Sequence, residues 1–460
     1  MSDPEGLPAI GIRVAAGVTI AVPGRIDLLT PYVLLEQENW FEDEIAFLCG
    51  CLRAGARVVD IGANYGLYSL SLAQVAGPAG RVWSVEPASQ TAAYLRRSVE
   101  INEFANVTVL QKALSNRPGT ARLSVEANSE LNSIAQASQS GTTEEVQLDT
   151  LDALAAAHGW AGIDFLKLDA EGEEERILEG GAAFLRSASP LVMFEIKHGE
   201  RLNLQLVQKL AAAGYHAYAL VPGLDLLVPF DEEESADPFR LNLFACKADR
   251  AEELENQGVL ARESSVVSES DPFAHYRAAH DEKDSPSLRH AHLKAAHAGL
   301  AALCASRGGA WDFASCARAA RELGLRQHAT GLLNEALTQC LAGDAGAPDG
   351  DWLAPVAAFD AVDPGARHGE WLKAALLDGL VELGLFSTYF ARGTAMQQLT
   401  LDRLEALKAT GFMRAPMERR RQLLRVLAGL QPGPTPDPLL ETLRADNLNP
   451  GLWGGVAPDG

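Results

Sequence analysis

Apolar positions along this chain of 460 residues follow two rhythms. Between 57 and 247, short apolar runs alternate with stretches of helical spacing; after 285 only the helical spacing persists. In the first part RVVDIG (57–62) predicts a buried strand, YGLYSLSLAQVAG (65–77) a helix and RVWSVEP (81–87) a second strand. A helix starting at Ser89 (88–104) and a third strand over 107–113 follow. After a polar loop (116–144) come the strand IDFLKLD (163–169), a helix over 173–187, the strand PLVMFEI (190–196) and a helix over 203–214. Parallel strands need long crossovers, usually helices, so this alternation predicts a doubly wound α/β sheet. The last two runs, YHAYALV (215–221) and RLNLFACK (240–247), have no helix between them and suit an antiparallel hairpin at the sheet edge.

Residues 9–30 read as short strands punctuated by Gly and Pro, and 39–53 as a helix stopped by Gly55. The stretch 249–290 loses all periodicity and is rich in Ser, Asp and Glu, the composition of a linker. From Ser285-Pro286, a good helix start, the chain is Ala- and Leu-rich, with further helices over 366–384, 395–410 and 416–430. LGLRQHATGLLNEAL (323–337) has the small-then-large spacing of one tetratricopeptide-like helix pair, and an ordinary helical hairpin explains it equally. The expected organisation is an N-terminal β element (1–30), an α/β domain (31–250), a linker (251–284), an all-α domain (285–430) and a loose tail (431–460).

Charge narrows the partners. The formal net charge is −22, with 19 basic and 36 acidic residues in 1–254 against 20 and 25 in the remainder. Phosphate backbones and anionic membranes both require clustered Lys and Arg, so neither is an expected partner. None of the six cysteines forms a CxxC pair, which fits free thiols in a reducing compartment. The N-terminus lacks the pattern of a signal peptide, and no window approaches a membrane span. A soluble, cytoplasmic protein is therefore expected.

The strongest chemical signal is VVDIGANYG (58–66), a buried strand running into a Gly-rich turn and a helix. Gly62 and Gly66 let backbone approach a ligand closely. The pattern lacks the three glycines that seat a dinucleotide pyrophosphate. Asp60 at the strand end suits an amine-bearing ligand, and S-adenosyl-L-methionine carries an amino group and a sulfonium. Glu86 ends the second strand, where a carboxylate can accept both hydroxyls of a ribose. The bland alternatives are a tight structural turn at 62–66 and a solvated carboxylate at Glu86. Ala113 ends the third strand, which should face the adenine, and Asn132 and Ser133 are weaker cofactor candidates.

These segments together resemble the FkbM family of S-adenosylmethionine-dependent methyltransferases. The resemblance rests on VVDIGANYGLYSL (58–70), VWSVEP (82–87), VQLDTLDAL (146–154), IDFLKLDAEGEEERILEG (163–180) and LVMFEI (191–196), with KLDAEG the most specific. It covers about half the chain, 30–248, and leaves the helical part outside. It implies a class I methyltransferase fold, a Rossmann-like doubly wound sheet, with Asp60, Gly62, Asn64, Gly66 and Glu86 around the cofactor. It also implies methylation of a hydroxyl on a saccharide or polyketide-type acceptor.

Lys167, Asp169 and Glu171 follow one strand, and Glu195 and His198 end the next. A lysine inside an apolar strand is costly unless paired. Asp169 or His198 could take the acceptor's proton as general base. Alternatively, Asp169, Glu171 and Glu195 hold a divalent cation that acidifies the hydroxyl, or the group is a salt-bridge network around Lys167. EGEEER (171–176) reads as a solvated helix start, DEEES (231–235) as an acidic loop, ERRRQLLR (418–425) as a solvated helix face, and His290, His292 and His297 as exposed polar positions. The expected acceptor is a small molecule or glycan, and the helical domain is expected to bind a protein partner or mediate oligomerisation. The competing readings are a non-catalytic scaffold retaining the cofactor fold, and an N-methyltransferase. For the latter, no Asn/Asp-Pro-Pro-type motif follows the fourth strand.

Overall fold

The computed structural model describes residues 9–125, 133–134, 142–198, 201–202, 204–231, 237–263, 265, 267–268, 271–281, 283–343 and 345–430. Side chains are described for all of these except 133–134, 142, 197–198 and 201–202. The chain divides into two compact units: Met1–Ala219 with Pro229–Glu234 and Arg240–Gln257, and Leu220–Val228 with Ser235–Phe239 and Gly258–Gly460.

In the first unit the main sheet runs in the order His216–Val221, Asn242–Cys246, Leu191–Glu195, Phe165–Leu168, Arg57–Ile61, Arg81–Val85 and Val107–Leu110. The last five are parallel to one another. Asn242–Cys246 is antiparallel to both its neighbours. The two final strands thus pair as expected, but the later one inserts inside the sheet instead of forming a hairpin at its edge. From Arg57–Ile61 the chain winds outward one way to Val107–Leu110, then returns to the other side at Phe165–Leu168. That reversal opens a crevice at the carboxyl ends of Arg57–Ile61 and Phe165–Leu168, the place where such sheets bind ligands. The strands read as unbroken apolar runs because both faces are covered: Val59, Ile61, Leu166, Leu168, Val192 and Phe194 share one buried core with Trp83, Trp160 and Phe184.

Two elements depart from the sequence reading. The expected polar loop over 116–144 contains the strand Gly119–Val125, paired antiparallel with Thr142–Asp149 in a second, smaller sheet. Polar residues alternate there with buried Leu123 and Val146, the pattern of a sheet solvated on one face. The third strand is also split: Val107–Leu110 stays in the main sheet, and Ala113–Leu114 joins the smaller one. Residues 29–37, left without a helix by the sequence reading, form the helix Leu29–Gln37, with Pro31 in its first turn, where no amide bond is lost. Ahead of it, Ala9–Arg13 and Thr19–Pro23 make the expected β element.

In the second unit all described regular elements after Gly258 are helical: Pro272–Ala279, Pro286–Ser306, Ala310–Glu322, Arg326–Ala342, His368–Gly384, Ala395–Thr410 and Ala415–Leu427, with two short 3-10 turns. Pro272–Ala279 corrects the linker reading of 251–284. Asp271 caps it, and Phe273, His275 and Ala279 are buried. Helix Ala248–Asn256 also runs into the linker's first residues. The basic run 418–425 is not a solvated face: Glu418, Arg419, Arg420 and Arg421 are buried, and Arg421 bonds Glu418 and Glu405. Ion pairing among these charges removes the need for water, which composition alone does not reveal. His290, His292 and His297 are half-buried, with His292 sharing a 2.8 Å hydrogen bond with His275. The acidic loop at 231–235 and the tail 431–460 lie almost wholly outside the described residues. Among the described residues, no helix is long and apolar enough to cross a membrane.

Candidate functional site

The crevice at the strand reversal holds a cavity of about 250 Å³. Asp60, Gly62, Asn64, Glu86, Ala113, Lys167, Asp169, Glu171 and Glu195 all line it. Gly66 is not in the lining. It begins the helix Leu67–Ala76 at φ 95°, tight against Leu95 and Leu70, and so shapes the turn without reaching the cavity. For Ser133 and His198 only the backbone is described, and Asn132 lies outside the described residues. His198 sits in the short strand Lys197–His198.

Asp60 is wholly buried. Its Oδ2 accepts a 2.6 Å bond from Ser69, which Ser84 bonds in turn at 2.7 Å. Its Oδ1 is buried and has no partner among the described residues. Burial raises its pKa, with the Lys167 charge opposing. A buried carboxylate oxygen left unsatisfied is costly and marks a place for a donor. Gly62, at φ 76°, lies so close to the Asp169 carbonyl that no Cβ fits between them.

Glu86 is tied down by backbone. Its Oε2 accepts from the Asn64 amide at 3.0 Å and its Oε1 from the Ala88 amide at 2.9 Å. Asn64 takes left-handed φ of 48° to present that amide. Burial lifts Glu86 to about 7. Lys167 donates to Asp169 at 2.6 Å and lies 5.3 Å from the centre of the Tyr68 ring. Burial disfavours its charge, but Asp169 and Asp60 outweigh that and hold its pKa above the ordinary lysine value.

Several site residues escaped the sequence reading. Glu42 lines the cavity and accepts a hydrogen bond from the Tyr68 hydroxyl. Trp40 and Phe41 stack 4.5 Å apart and line it too. No motif marks NWFE (39–42), so nothing in the sequence could have placed them there. The EGEEER run is not a solvated helix start. Glu174 accepts from the Ala170 and Gly172 amides, pinning the turn that carries Glu171, and Glu173 accepts from Ser115. Glu171 itself sits at φ 51°.

The cation reading of Asp169, Glu171 and Glu195 is not supported. Among the described residues, no group of three or more His, Cys, Asp or Glu is arranged to hold a metal ion. Asp169 is instead engaged by Lys167. Burial pushes Glu195 to about 9, with Asp169, Glu171 and Glu42 adding repulsion. Burial also lifts neighbouring Glu44 to about 8.

These raised carboxyls fix a pH dependence. Glu86, Glu44 and Glu195 hold protons when folded that they release on unfolding above the ordinary value of 4.5. Their contribution to stability is therefore full at low pH and is lost as pH rises through their folded values. Thermal melts of the ligand-free protein are expected to show Tm falling between about pH 5 and pH 9, with a shallower fall in Glu195→Gln. An identical slope in that variant would contradict the assignment.

Residues 60–217 match the family model of the Methyltransferase FkbM domain. Among solved structures, a methyltransferase FkbM from Methylobacillus flagellatus KT is 19% identical, covers 43% of this chain and 45% of its own, and has a TM-score of 0.29. The chain therefore spans less than half of that protein's length. Fibrillarin from Aeropyrum pernix, in complex with natively bound S-adenosyl-L-methionine, is 14% identical over 44% of this chain and 73% of its own, with a TM-score of 0.27. A SAM dependent methyltransferase from Aquifex aeolicus is 15% identical over 49% of this chain and 93% of its own, with a TM-score of 0.25. No curated protein matches the chain.

Proposed function

We propose that the chain, whose residues 60–217 match the family model of the Methyltransferase FkbM domain, transfers a methyl group from S-adenosyl-L-methionine to a hydroxyl oxygen of a small-molecule or glycan acceptor. The observation that carries this reading is Asp60: a wholly buried carboxylate with one unsatisfied oxygen, at the end of a strand, in a ligand-sized cavity. An ammonium group is the natural partner for such an oxygen. Glu86, fixed by the amides of Asn64 and Ala88, is placed to accept ribose hydroxyls, and Ala113 and Leu114 offer an apolar wall to the adenine. The cofactor supplies an activated methyl group when bound.

The remaining work falls to the chain. Trp40, Phe41 and Leu241 exclude water from the acceptor's side of the cavity. Lys167 holds the Asp169 carboxylate at the crevice through their 2.6 Å contact, and Asp169 is the group that takes the hydroxyl proton. Holding the reactants in place supplies most of the acceleration, and the base a further ~10²–10⁴-fold. Asp169→Asn is therefore expected to lower kcat by about that factor while S-adenosyl-L-homocysteine binds as before. The readout is label transferred from methyl-labelled S-adenosyl-L-methionine to an acceptor selected from a glycan panel. An unchanged kcat in the variant would remove Asp169 from this role.

A further inference from the structure

Among the described residues of the cavity wall, the proposed function leaves a buried polar atom unused. Thr30 lines the cavity and is only 5% exposed, and its Oγ1 has no hydrogen-bond partner among the described residues. A buried hydroxyl without a partner is costly, so its place calls for a role other than packing. Thr30 is the second residue of the helix Leu29–Gln37. Leu29 and Thr30 line the cavity and residues 31–37 do not, so the helix meets the cavity with its amino end. Its N-cap residue, Leu28, has no polar side chain to cap the first turn, and no acidic residue sits in that turn. A helix leaves its first amides without internal partners, and its dipole favours an anion there.

The methyl donor brings such an anion. Its methionine end carries a carboxylate on the same carbon as the ammonium assigned to Asp60. That carboxylate enters a wall rich in carboxyls, with Glu86, Asp169 and Glu195 among them. The lysines of the described wall, Lys112 and Lys167, are bonded to Asp149 and Asp169. A hydroxyl at a helix amino end offers the carboxylate a donor that no neighbouring carboxylate has claimed. We propose that Thr30 Oγ1, with the amino end of helix Leu29–Gln37, holds the carboxylate of the methyl donor. This inference rests on the methyltransferase reading and assigns a group of the donor that the reading leaves without a partner. The Thr30 hydroxyl donates to a carboxylate oxygen, so the atom that burial leaves unsatisfied gains a charged acceptor.

Calorimetry on the full-length protein with two ligands tests this. One is S-adenosyl-L-homocysteine; the other is its decarboxylated analogue, which keeps the amine, sulfur, ribose and adenine. Thr30→Val keeps the shape of the side chain and removes the hydroxyl. It is expected to bind S-adenosyl-L-homocysteine at least about tenfold more weakly, and the analogue within about twofold of wild type. Thr30→Ser keeps the hydroxyl and is expected to keep most of the homocysteine affinity. Thr30→Ala reads the same difference between the ligands if the valine variant does not fold. Unchanged S-adenosyl-L-homocysteine affinity without the hydroxyl, or an equal loss for both ligands, would overturn the inference. Failure of the wild type to bind S-adenosyl-L-homocysteine would instead overturn the underlying reading.

Discussion

Gly62→Ala is expected to destabilise the protein by at least about 3 kcal/mol and to abolish cofactor binding in whatever fraction still folds. Two costs add. The backbone at Gly62 has φ 76°, a conformation that side chains rarely tolerate. The added Cβ would also overlap the carbonyl oxygen of Asp169. That carbonyl cannot step aside cheaply, because the Asp169 amide is bonded to the Ile61 carbonyl at 3.2 Å and the two strands are in register from Phe165↔Val58 to Leu168↔Ile61. Gly62 is fixed from its other side, since its amide donates to the Val85 carbonyl at 3.0 Å. Urea unfolding of wild type and variant reads the effect. A variant within about 0.5 kcal/mol of wild type would mean that the crevice is looser than its geometry.

Lys167→Met is expected to cost about 3 kcal/mol, the low end for breaking a buried ion pair, because Asp169 is 34% exposed at its side chain while Lys167 is only 6%. The methionine fills most of the volume, so the loss is electrostatic. Asp60, Asp169 and Glu42 would then share one crevice with the cation that all three feel removed. The deficit should shrink at about pH 5, as Asp60 and Glu42, both raised by burial, take up protons in place of the lysine charge. Unfolding curves at two pH values test this. A deficit that is the same at both would show that lost packing, not charge, is responsible.

The half of the site proposed to hold the cofactor is readable in the sequence because it is built by short-range rules. A buried strand ending in Asp60, a turn at 62–66 that needs left-handed backbone at Gly62, Asn64 and Gly66, and a second strand ending at Glu86 all lie within one βαβ unit. Spacing alone places them together. The half proposed to hold the acceptor is assembled over long range. Glu42 precedes the sheet, Tyr68 sits on the first crossover helix, and Glu195 ends a strand more than a hundred residues later, so no local pattern joins them. Polarity also misled. The runs at 116–144 and 171–176 look solvated, yet pairing along Gly119–Val125 and amide bonds to Glu174 make them structural. The charged helix Ala415–Leu427 misled in the same way, because buried ions that pair with one another have the composition of a surface.

The most direct test of the central claim is calorimetric titration of the full-length protein with S-adenosyl-L-homocysteine, for wild type and Asp60→Asn. The amide keeps the Ser69 contact but places no charge beside the buried Oδ1 position. Wild type is expected to bind one equivalent with Kd in the micromolar range, on the order of −8 kcal/mol, and the variant at least about tenfold more weakly. No binding by a wild-type protein whose melting shows it to be folded would contradict the account. Equal binding by the two would contradict the place it gives to Asp60.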